Sequence, residues 1–291
     1  MPQLSSTHAI DKANTNPRTV SNFGEEWTRF PQPDAGHGSE LVGLFESYFA
    51  IFPWGLLSPD AVGFDFGCGS GRWARFVAPR VGLLHCVDAS TAALQVARAN
   101  LRATPNCRFW HGSAGSIPLA RGSADFGYAL GVLHHIPDAA RALHACVQLL
   151  KPGAPFLLYV YYDLTNRPRW YRGLWQLTII PRQIISHLPR VPRAWACDVI
   201  AALVYVPLAR LARAMQRCAW SGLLPLAYYR NCSFYTMRTD ALDRFGTPLE
   251  QRFSRNEVAK LLSDAGLERV QFSNASPFWV AVGYRRAEPG G

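Results

Sequence analysis

The chain has 291 residues, of which 49% are hydrophobic and 17% are charged, a balance that suits a globular protein with one well-buried core or one core plus a sizeable insertion. Its formal net charge is +10, and this charge alone does not separate binding to nucleic acid, to anionic membranes or to acidic substrates. The seven cysteines form no C-x-x-C pair, so we expect buried thiols and no metal site. The polar N-terminus lacks the apolar core of a secretory signal, and no run of 18 apolar residues occurs. We therefore expect a cytoplasmic protein without a transmembrane helix.

The predicted elements begin with a polar, mobile arm at residues 1–22, a short aromatic segment from Phe23 to Phe30, a loop to Gly38 and a helix from Ser39 to Phe52. Five apolar strands then alternate with helices. The strands are predicted at 61–66, 82–87, 107–110, 125–130 and 154–161, and the helices at 72–78, 91–102 and 139–150. The alternation stops after Tyr162 and resumes at the capping box of Ser254 and Glu257, which starts a helix to Asp264. Two last strands follow near 267–272 and 278–284.

Strands and helices that alternate over short links predict an α/β fold, a Rossmann-like doubly wound sheet that is mostly parallel. The late helix and the two closing strands favour seven strands over six. We assign residues 1–60 to an N-terminal arm and helical lid, 61–162 to a ligand-binding core, 163–253 to a helical insertion after the fifth strand, and 254–286 to the C-terminal part of the core sheet.

A glycine-rich turn lies directly between the first strand and the next helix. Gly67, Gly69 and Gly71 permit a sharp turn and a close approach of a ligand to the backbone, and Asp88 at the end of the next strand can accept hydrogen bonds from ribose hydroxyls. Three interpretations compete. In the first interpretation, the turn is purely structural. In the second, it binds NAD, but NAD-binding turns favour G-x-G-x-x-G and here the third glycine comes one residue early. In the third interpretation, Asp65 and the three glycines bind S-adenosylmethionine.

Further motifs follow in order along the chain: Gly112 to Leu119, Ala124 to Asp138 with its Leu-His-His, and Leu150-Lys151-Pro152-Gly153. With the glycine turn, they resemble the class I S-adenosylmethionine-dependent methyltransferase family, in its small-molecule branch. The resemblance covers roughly residues 64–161 and 250–284. It implies S-adenosylmethionine as the cofactor and assigns these residues to it: Asp65, Gly67, Gly69, Gly71, Asp88, Ala89, Ser113, Ala114 and Leu130. The loop that flanks adenine usually begins Gly-Asp-Ala, and here Ser113 replaces the carboxylate with a hydroxyl.

His134 and His135 follow the fourth strand, where such folds place their chemistry, and are the candidates for a catalytic base. The alternative is that Leu-His-His recurs in this family whatever the acceptor, and that one histidine only stabilises the loop. Tyr161 and its neighbours at the end of the fifth strand are expected to line the acceptor pocket. The aromatic segment resembles an N-terminal segment of relatives; Trp27 and Phe30 either cover the cofactor as a lid or pack on the outside of the sheet.

The insertion is rich in arginine and aromatic residues: nine arginines and two acids lie between Asp163 and Arg217. By default it is a helical cap over the acceptor, and Tyr229, Arg244 and Arg252 are assigned to the acceptor pocket with Trp27 and Tyr161. The alternative is a peripheral membrane contact through residues 163–217, since apolar faces with arginines suit an anionic lipid surface. The run Ala194–Ala209 is predicted to be too short to span a membrane. Nucleic acid is an unlikely partner, because no known module for it is present.

The leading hypothesis is S-adenosylmethionine-dependent methylation of a small-molecule acceptor, such as a saccharide, a natural-product intermediate or another metabolite. One alternative is a quinone or lipid methyltransferase that acts at the membrane surface, which would place the protein peripherally at the inner face of the membrane. An alternative of another class is a non-catalytic S-adenosylmethionine-binding protein.

Overall fold

The computed structural model describes residues 11–32, 38–218 and 224–287, so the expectations for residues 1–10 and 33–37 lie outside the described residues. The chain divides into two compact units. One contains the residues up to Asp163 together with those from Gln251 onward, and the other is Leu164–Glu250. This second unit lies within the insertion that the sequence predicts at 163–253.

The first unit is built on a seven-stranded sheet with the strand order β3-β2-β1-β4-β5-β7-β6. The strands are β1 (Val62–Phe66), β2 (Leu83–Asp88), β3 (Cys107–His111), β4 (Phe126–Leu130), β5 (Pro155–Tyr159), β6 (Leu267–Phe272) and β7 (Val280–Arg285). The first five strands run parallel to one another, and β7 pairs antiparallel with both β5 and β6. The predicted Rossmann-like, mostly parallel seven-stranded fold is therefore confirmed. Sequence order reverses between β1 and β4, which is the position where open α/β sheets bind ligands.

Helices cover both faces of this sheet, and for that reason its central strands are apolar on both sides. The helices of the first unit are α1 (Pro17–Arg29), α2 (Gly38–Tyr48), α3 (Ala74–Val77), α4 (Thr91–Asn100), α5 (Ala139–Leu149) and, after the second unit, α11 (Arg255–Asp264). One face packs Phe49, directly after α2, against Tyr128 of β4, with ring centroids 5.4 Å apart. The other face packs α5 and α11 around Phe156 of β5. The predicted capping box is present, because Ser254 and Glu257 exchange side-chain-to-backbone hydrogen bonds of 2.7 and 3.2 Å.

Helix α1 contradicts the prediction of a mobile polar arm through residue 22. Asn16 caps this helix by accepting a hydrogen bond from the Thr19 backbone, and Pro17 occupies the first turn, where its missing N–H costs nothing. The buried side of α1 carries small and polar residues, including Thr19, Asn22 and Gly24, so that hydrophobic periodicity did not reveal it. Helix α2 ends at Tyr48, four residues before the predicted end.

The second unit is helical, with α6 (Arg169–Leu177), α7 (Ile179–His187), α8 (Arg190–Ile200), α9 (Val206–Ala214) and α10 (Phe234–Gly246) among its described residues. A π-helical stretch, Ala201–Tyr205, joins α8 to α9 into one continuous helix of 25 residues, Arg190–Ala214. An 18-residue window within this helix has a mean hydropathy of 1.6. By length and composition this helix is able to cross a membrane. The run from Ala194 to Ala209 is therefore part of a longer helix than its sequence indicates, while the expectation that the chain has no transmembrane helix stays a prediction. Pro207 does not end the helix, because it follows the wider π turn and lies in the first turn of α9.

Candidate functional site

The turn after β1 has the backbone conformation that its three glycines allow. Gly67, Gly69 and Gly71 all have positive φ angles, of +75°, +54° and +77°. A Cβ on Gly67 would lie 2.3 Å from the side chain of Val132, so a larger residue does not fit there. The backbone N–H groups of Gly67 and Cys68 donate to the Val87 carbonyl at 2.8 and 3.0 Å, which ties the turn to the end of β2.

Two carboxyl groups lie beside this turn. Asp88, at the end of β2, accepts hydrogen bonds from the backbone N–H groups of Gly69 at 2.9 Å and Ser90 at 2.8 Å. Burial raises the pKa of Asp88, and these two hydrogen bonds oppose that shift. Asp65 is almost fully buried in β1. Burial raises its pKa to about 8, while the hydroxyl of the neighbouring Tyr128 acts in the opposite direction. Asp88 retains unused acceptor capacity on both oxygens, as a ligand with two hydroxyls requires.

An N-terminal strap, residues 11–32, contacts the loops that follow the parallel strands. A Cβ on Gly69 would lie 2.8 Å from the Trp27 indole, and a Cβ on Gly24 would lie 2.5 Å from the Ser90 hydroxyl. The end of the strap is held by the Asn100 side chain, which donates to the carbonyls of Pro31 at 2.6 Å and Ser70 at 2.9 Å. Of the two alternatives for Trp27, the contact with the glycine turn favours the lid, which stays a prediction.

The loop after β3 contains the predicted adenine-side residues. Ala114 is buried and begins a 3-10 turn to Ser116, which Ser113 precedes. The hydroxyl of Ser113 accepts a hydrogen bond of 3.1 Å from the backbone N–H of Asp11, at the start of the strap. Ala89 lies across from this loop and accepts a hydrogen bond of 3.0 Å from the ring of His111. Leu130 is buried at the end of β4.

The predicted catalytic histidines lie in the turn after β4, and both are buried. The rings of His134 and His135 are 4.0 Å apart, and Tyr161 stacks on His134 with a centroid distance of 3.9 Å. Phe23 of the strap meets His135 edge-on at 4.8 Å. Burial, with contributions from His135 and Arg252, holds the pKa of His134 well below its ordinary value. Within the described part of the chain, neither ring nitrogen of His134 has a hydrogen-bond partner.

The chain passes through this cluster again where it returns from the second unit. The backbone N–H of Gln251 donates to the His134 carbonyl at 2.8 Å, and its side chain donates to the Ile136 carbonyl at 2.6 Å. Arg252 donates to the Tyr162 carbonyl at 3.0 Å, and its guanidinium lies 5.3 Å from the ring centroid of Tyr161. Gln251 was not among the predicted site residues; a lone amide in a loop gives no local signal for the turn that it holds.

The other two predicted acceptor residues lie in the second unit. The Tyr229 hydroxyl donates to Asp240 at 2.5 Å, and the guanidinium of Arg244 lies 5.7 Å from the Tyr229 ring centroid. Tyr229 is almost fully buried, and burial raises its pKa well above its ordinary value. These contacts give Tyr229 a place in the core of the second unit, and its role toward the acceptor stays a prediction.

Comparison with known proteins identifies the family to which this chain belongs. A methyltransferase domain model matches residues 64–158. The ubiquinone biosynthesis O-methyltransferase of Thiobacillus denitrificans is 30% identical over 206 residues, which cover 69% of this chain and 83% of that protein. The chain belongs to the class I S-adenosylmethionine-dependent methyltransferase family. The predicted family and cofactor are thereby confirmed.

Other relatives in this family match over a shorter stretch. The enzymes of the same name from Albidiferax ferrireducens and Alkalilimnicola ehrlichii are 33% and 34% identical, over 35% and 55% of this chain. These matches span only 40% and 64% of the relatives' own length. Among solved structures, a chain of the complex between the Trm112 methyltransferase activator and a methyltransferase of Haloferax volcanii has a TM-score of 0.51 at 15% identity, covering 91% of this chain and 98% of that one. A methyltransferase of Methanosarcina mazei has a TM-score of 0.50 at 18% identity, covering 82% and 99%. These structures share the fold.

The described residues fit S-adenosylmethionine. The three glycines hold the turn after β1 at positive φ angles, the conformation in which glycine lets a ligand approach the backbone closely. Asp88 retains acceptor capacity for the two ribose hydroxyls. Contact of the glycine turn with the methionine part and of Asp88 with the ribose stays a prediction, as does the adenine contact of Ser113, whose hydroxyl already accepts from the Asp11 backbone.

Proposed function

We propose that this chain transfers the methyl group of S-adenosylmethionine to a small-molecule acceptor at the carboxyl ends of β1 and β4. The observation that carries the proposal is the convergence of the glycine turn, Asp88 and the buried histidine pair on the position where the strand order reverses. When bound, the cofactor supplies a methyl group on a sulfonium, which is reactive without further activation. The protein's task is to orient the acceptor and to exclude water.

We propose Asp88 and the glycine turn for cofactor binding, with Asp65, Ala89, Ser113, Ala114 and Leu130 around them. His134 and His135 are proposed for the acceptor. Because burial keeps the pKa of His134 low, its ring is neutral at physiological pH, and a neutral imidazole can accept a proton or a hydrogen bond from an acceptor hydroxyl. A buried polar group without a hydrogen-bond partner costs about 1–3 kcal/mol of stability, and a hydrogen bond between His134 and a bound acceptor would remove this cost. Tyr161 and Arg252 pack around this ring and are proposed as pocket wall.

The test is calorimetry with S-adenosylhomocysteine, followed by a product assay with S-adenosylmethionine and a panel of acceptors. We expect the wild-type chain to bind the cofactor product and to methylate at least one acceptor. Asp88→Ala should abolish most of the binding, whereas His135→Ala should spare binding and reduce turnover. If the wild-type chain binds the cofactor product but methylates no acceptor in the panel, the result supports the alternative of a non-catalytic binding protein. If it binds neither form of the cofactor, the proposal fails.

A second candidate concerns where the acceptor is found. Of the sixteen large apolar side chains that are exposed among the described residues, twelve lie between Trp170 and Leu211. Five exposed arginines lie within or beside this stretch, at 169, 190, 210, 213 and 217. Its one acid, Asp198, is engaged by Arg238 through two hydrogen bonds of 2.9 Å. Such an apolar and cationic surface favours the interface of an anionic membrane.

We therefore propose, as the alternative to a soluble metabolite, a lipophilic acceptor such as a quinone or lipid, methylated at the inner face of the membrane. The relatives named above carry a ubiquinone biosynthesis name, which supports this class of acceptor. Nucleic acid is not proposed as a partner.

Co-sedimentation with vesicles of phosphatidylglycerol and phosphatidylethanolamine tests this candidate. We expect the wild-type chain to bind and the double variant Trp195→Asp, Leu203→Asp to bind much less. Leu56→Asp is the matched control, because Leu56 is 65% exposed while Trp195 and Leu203 are 71% and 72% exposed. Resistance to carbonate extraction would indicate that Arg190–Ala214 spans the bilayer, and the absence of any binding at low salt would remove the membrane reading.

A further inference from the structure

The loop after β3 lacks the carboxylate that the family's adenine-flanking loop usually carries. Ser113 stands in that position, and its backbone N–H donates to the Ser116 hydroxyl at 2.7 Å, which closes the loop on itself. Adenine presents an exocyclic amine with two donor hydrogens, and a donor that is taken out of water without an acceptor costs binding energy. The question is which group of this chain accepts from that amine.

The strap brings a carboxylate to this loop from a distant part of the sequence. Asp11 lies 102 residues before Ser113, and its backbone N–H donates to the Ser113 hydroxyl at 3.1 Å. One carboxylate oxygen of Asp11 accepts from the Ala13 backbone at 3.1 Å, and the other pairs with the guanidinium of Arg141. A carboxylate offers about four acceptor positions, so these contacts leave part of its capacity unused. The side chain is 29% exposed, so an incoming amine can reach it.

The position of Asp11 is fixed by contacts on its other side. The side chain of Asn14 donates to the Asp138 carbonyl at 2.9 Å and accepts from the Asp138 backbone at 2.7 Å. Asp138 also caps α5, so this pair of bonds ties the start of the strap to a helix of the core. The carboxylate of Asp11 is therefore held beside the adenine-side loop by the fold and not by the Arg141 pair alone.

We infer that Asp11 is the acceptor for the exocyclic amine of the cofactor's adenine and takes the place of the carboxylate that is missing at Ser113. The inference rests on the proposed use of S-adenosylmethionine. It assigns a binding role to a residue outside the methyltransferase domain match, which begins at residue 64. It also explains why the Ser113 hydroxyl contacts the strap: this hydrogen bond positions the replacement.

The experiment compares two ligands by calorimetry: S-adenosylhomocysteine and its analogue with hydrogen in place of the purine amine. Because a hydrogen bond to a charged group contributes about 1.5–3 kcal/mol, the wild-type chain should prefer the amine-bearing ligand by about tenfold to a hundredfold. Asp11→Ala should bind the two ligands about equally. The double variant Asp11→Ala, Ser113→Asp should restore the preference. Arg141→Ala, which keeps the carboxylate and removes only its exposed partner, should retain it.

The comparison of two ligands separates a binding role from a structural one. If Asp11→Ala weakens both ligands by the same factor and the preference persists, Asp11 only supports the strap and the inference is overturned. A wild-type chain that binds both ligands equally would also overturn it. If the wild-type chain binds neither ligand, the proposed function itself fails, which is a different and recognisable result.

Discussion

The contact between Trp27 and Gly69 gives a test that does not depend on any ligand. Alanine at residue 69 has to adopt the left-handed conformation of Gly69, at φ +54°, which costs roughly 1–2 kcal/mol. Its Cβ also lies 2.8 Å from two atoms of the Trp27 indole, and such overpacking costs about 1–3 kcal/mol. We therefore expect Gly69→Ala to lower the free energy of unfolding of the first unit by about 2–5 kcal/mol.

The Trp27→Ala background separates the two contributions. Without the indole, Gly69→Ala retains only the backbone strain, so its cost should fall to roughly 1–2 kcal/mol. Urea titration followed by far-ultraviolet circular dichroism measures both values. Gly71→Ala is the matched control, since Gly71 has a similar φ of +77° but its Cβ would meet Leu101. An equal cost of Gly69→Ala in both backgrounds would refute the packing of the strap on the glycine turn.

Three further predictions concern the core of each unit. Asp65 has a pKa of about 8 in the folded chain against 3.8 in the unfolded chain, so folding takes up a proton between these values. The free energy of unfolding should therefore fall as the pH rises from about 4 to about 8, and Asp65→Asn should flatten this dependence in urea titrations at several pH values. Ser254→Ala removes the cap of α11 and should lower the melting temperature, at a cost of about 0.5–2 kcal/mol; an unchanged melting temperature would contradict the cap. Tyr229→Phe leaves Asp240 without its hydroxyl donor and should destabilise the second unit by about 1–3 kcal/mol, while affinity for S-adenosylhomocysteine, measured by calorimetry, stays unchanged.

The sheet could be predicted from the sequence because its strands are short apolar runs between glycine or polar turns. All seven strands begin within two residues of their predicted starts, and β6 matches Leu267–Phe272 fully. The positions of the glycine turn and of Asp88 followed from the same pattern, because both are defined by the strand that precedes them.

Features that depend on contacts between distant residues could not be predicted in this way. The buried side of α1 is polar, and nothing near Asp11 in the sequence announces a hydrogen bond to Ser113. Pro207 and Asp198 suggested that the apolar run from residue 194 is interrupted. In the structure, a π turn accommodates the proline and Arg238 pairs with the aspartate, so the helix continues. Hydrophobic periodicity therefore predicts a helix reliably only where its polar side chains do not depend on partners from distant parts of the sequence.

The strap touches the loops after β1, β2, β3 and β4 without adding a strand to the sheet. The apparent affinity of these loops for a ligand therefore depends on the free energy with which the strap docks. Only molecules with the strap in place have a complete binding site. A substitution on the outer side of the strap can change the residence time of the spent cofactor while every residue of the pocket stays the same. Under the proposed function, product inhibition of this chain thus has an adjustable element that the residues of the pocket do not constrain.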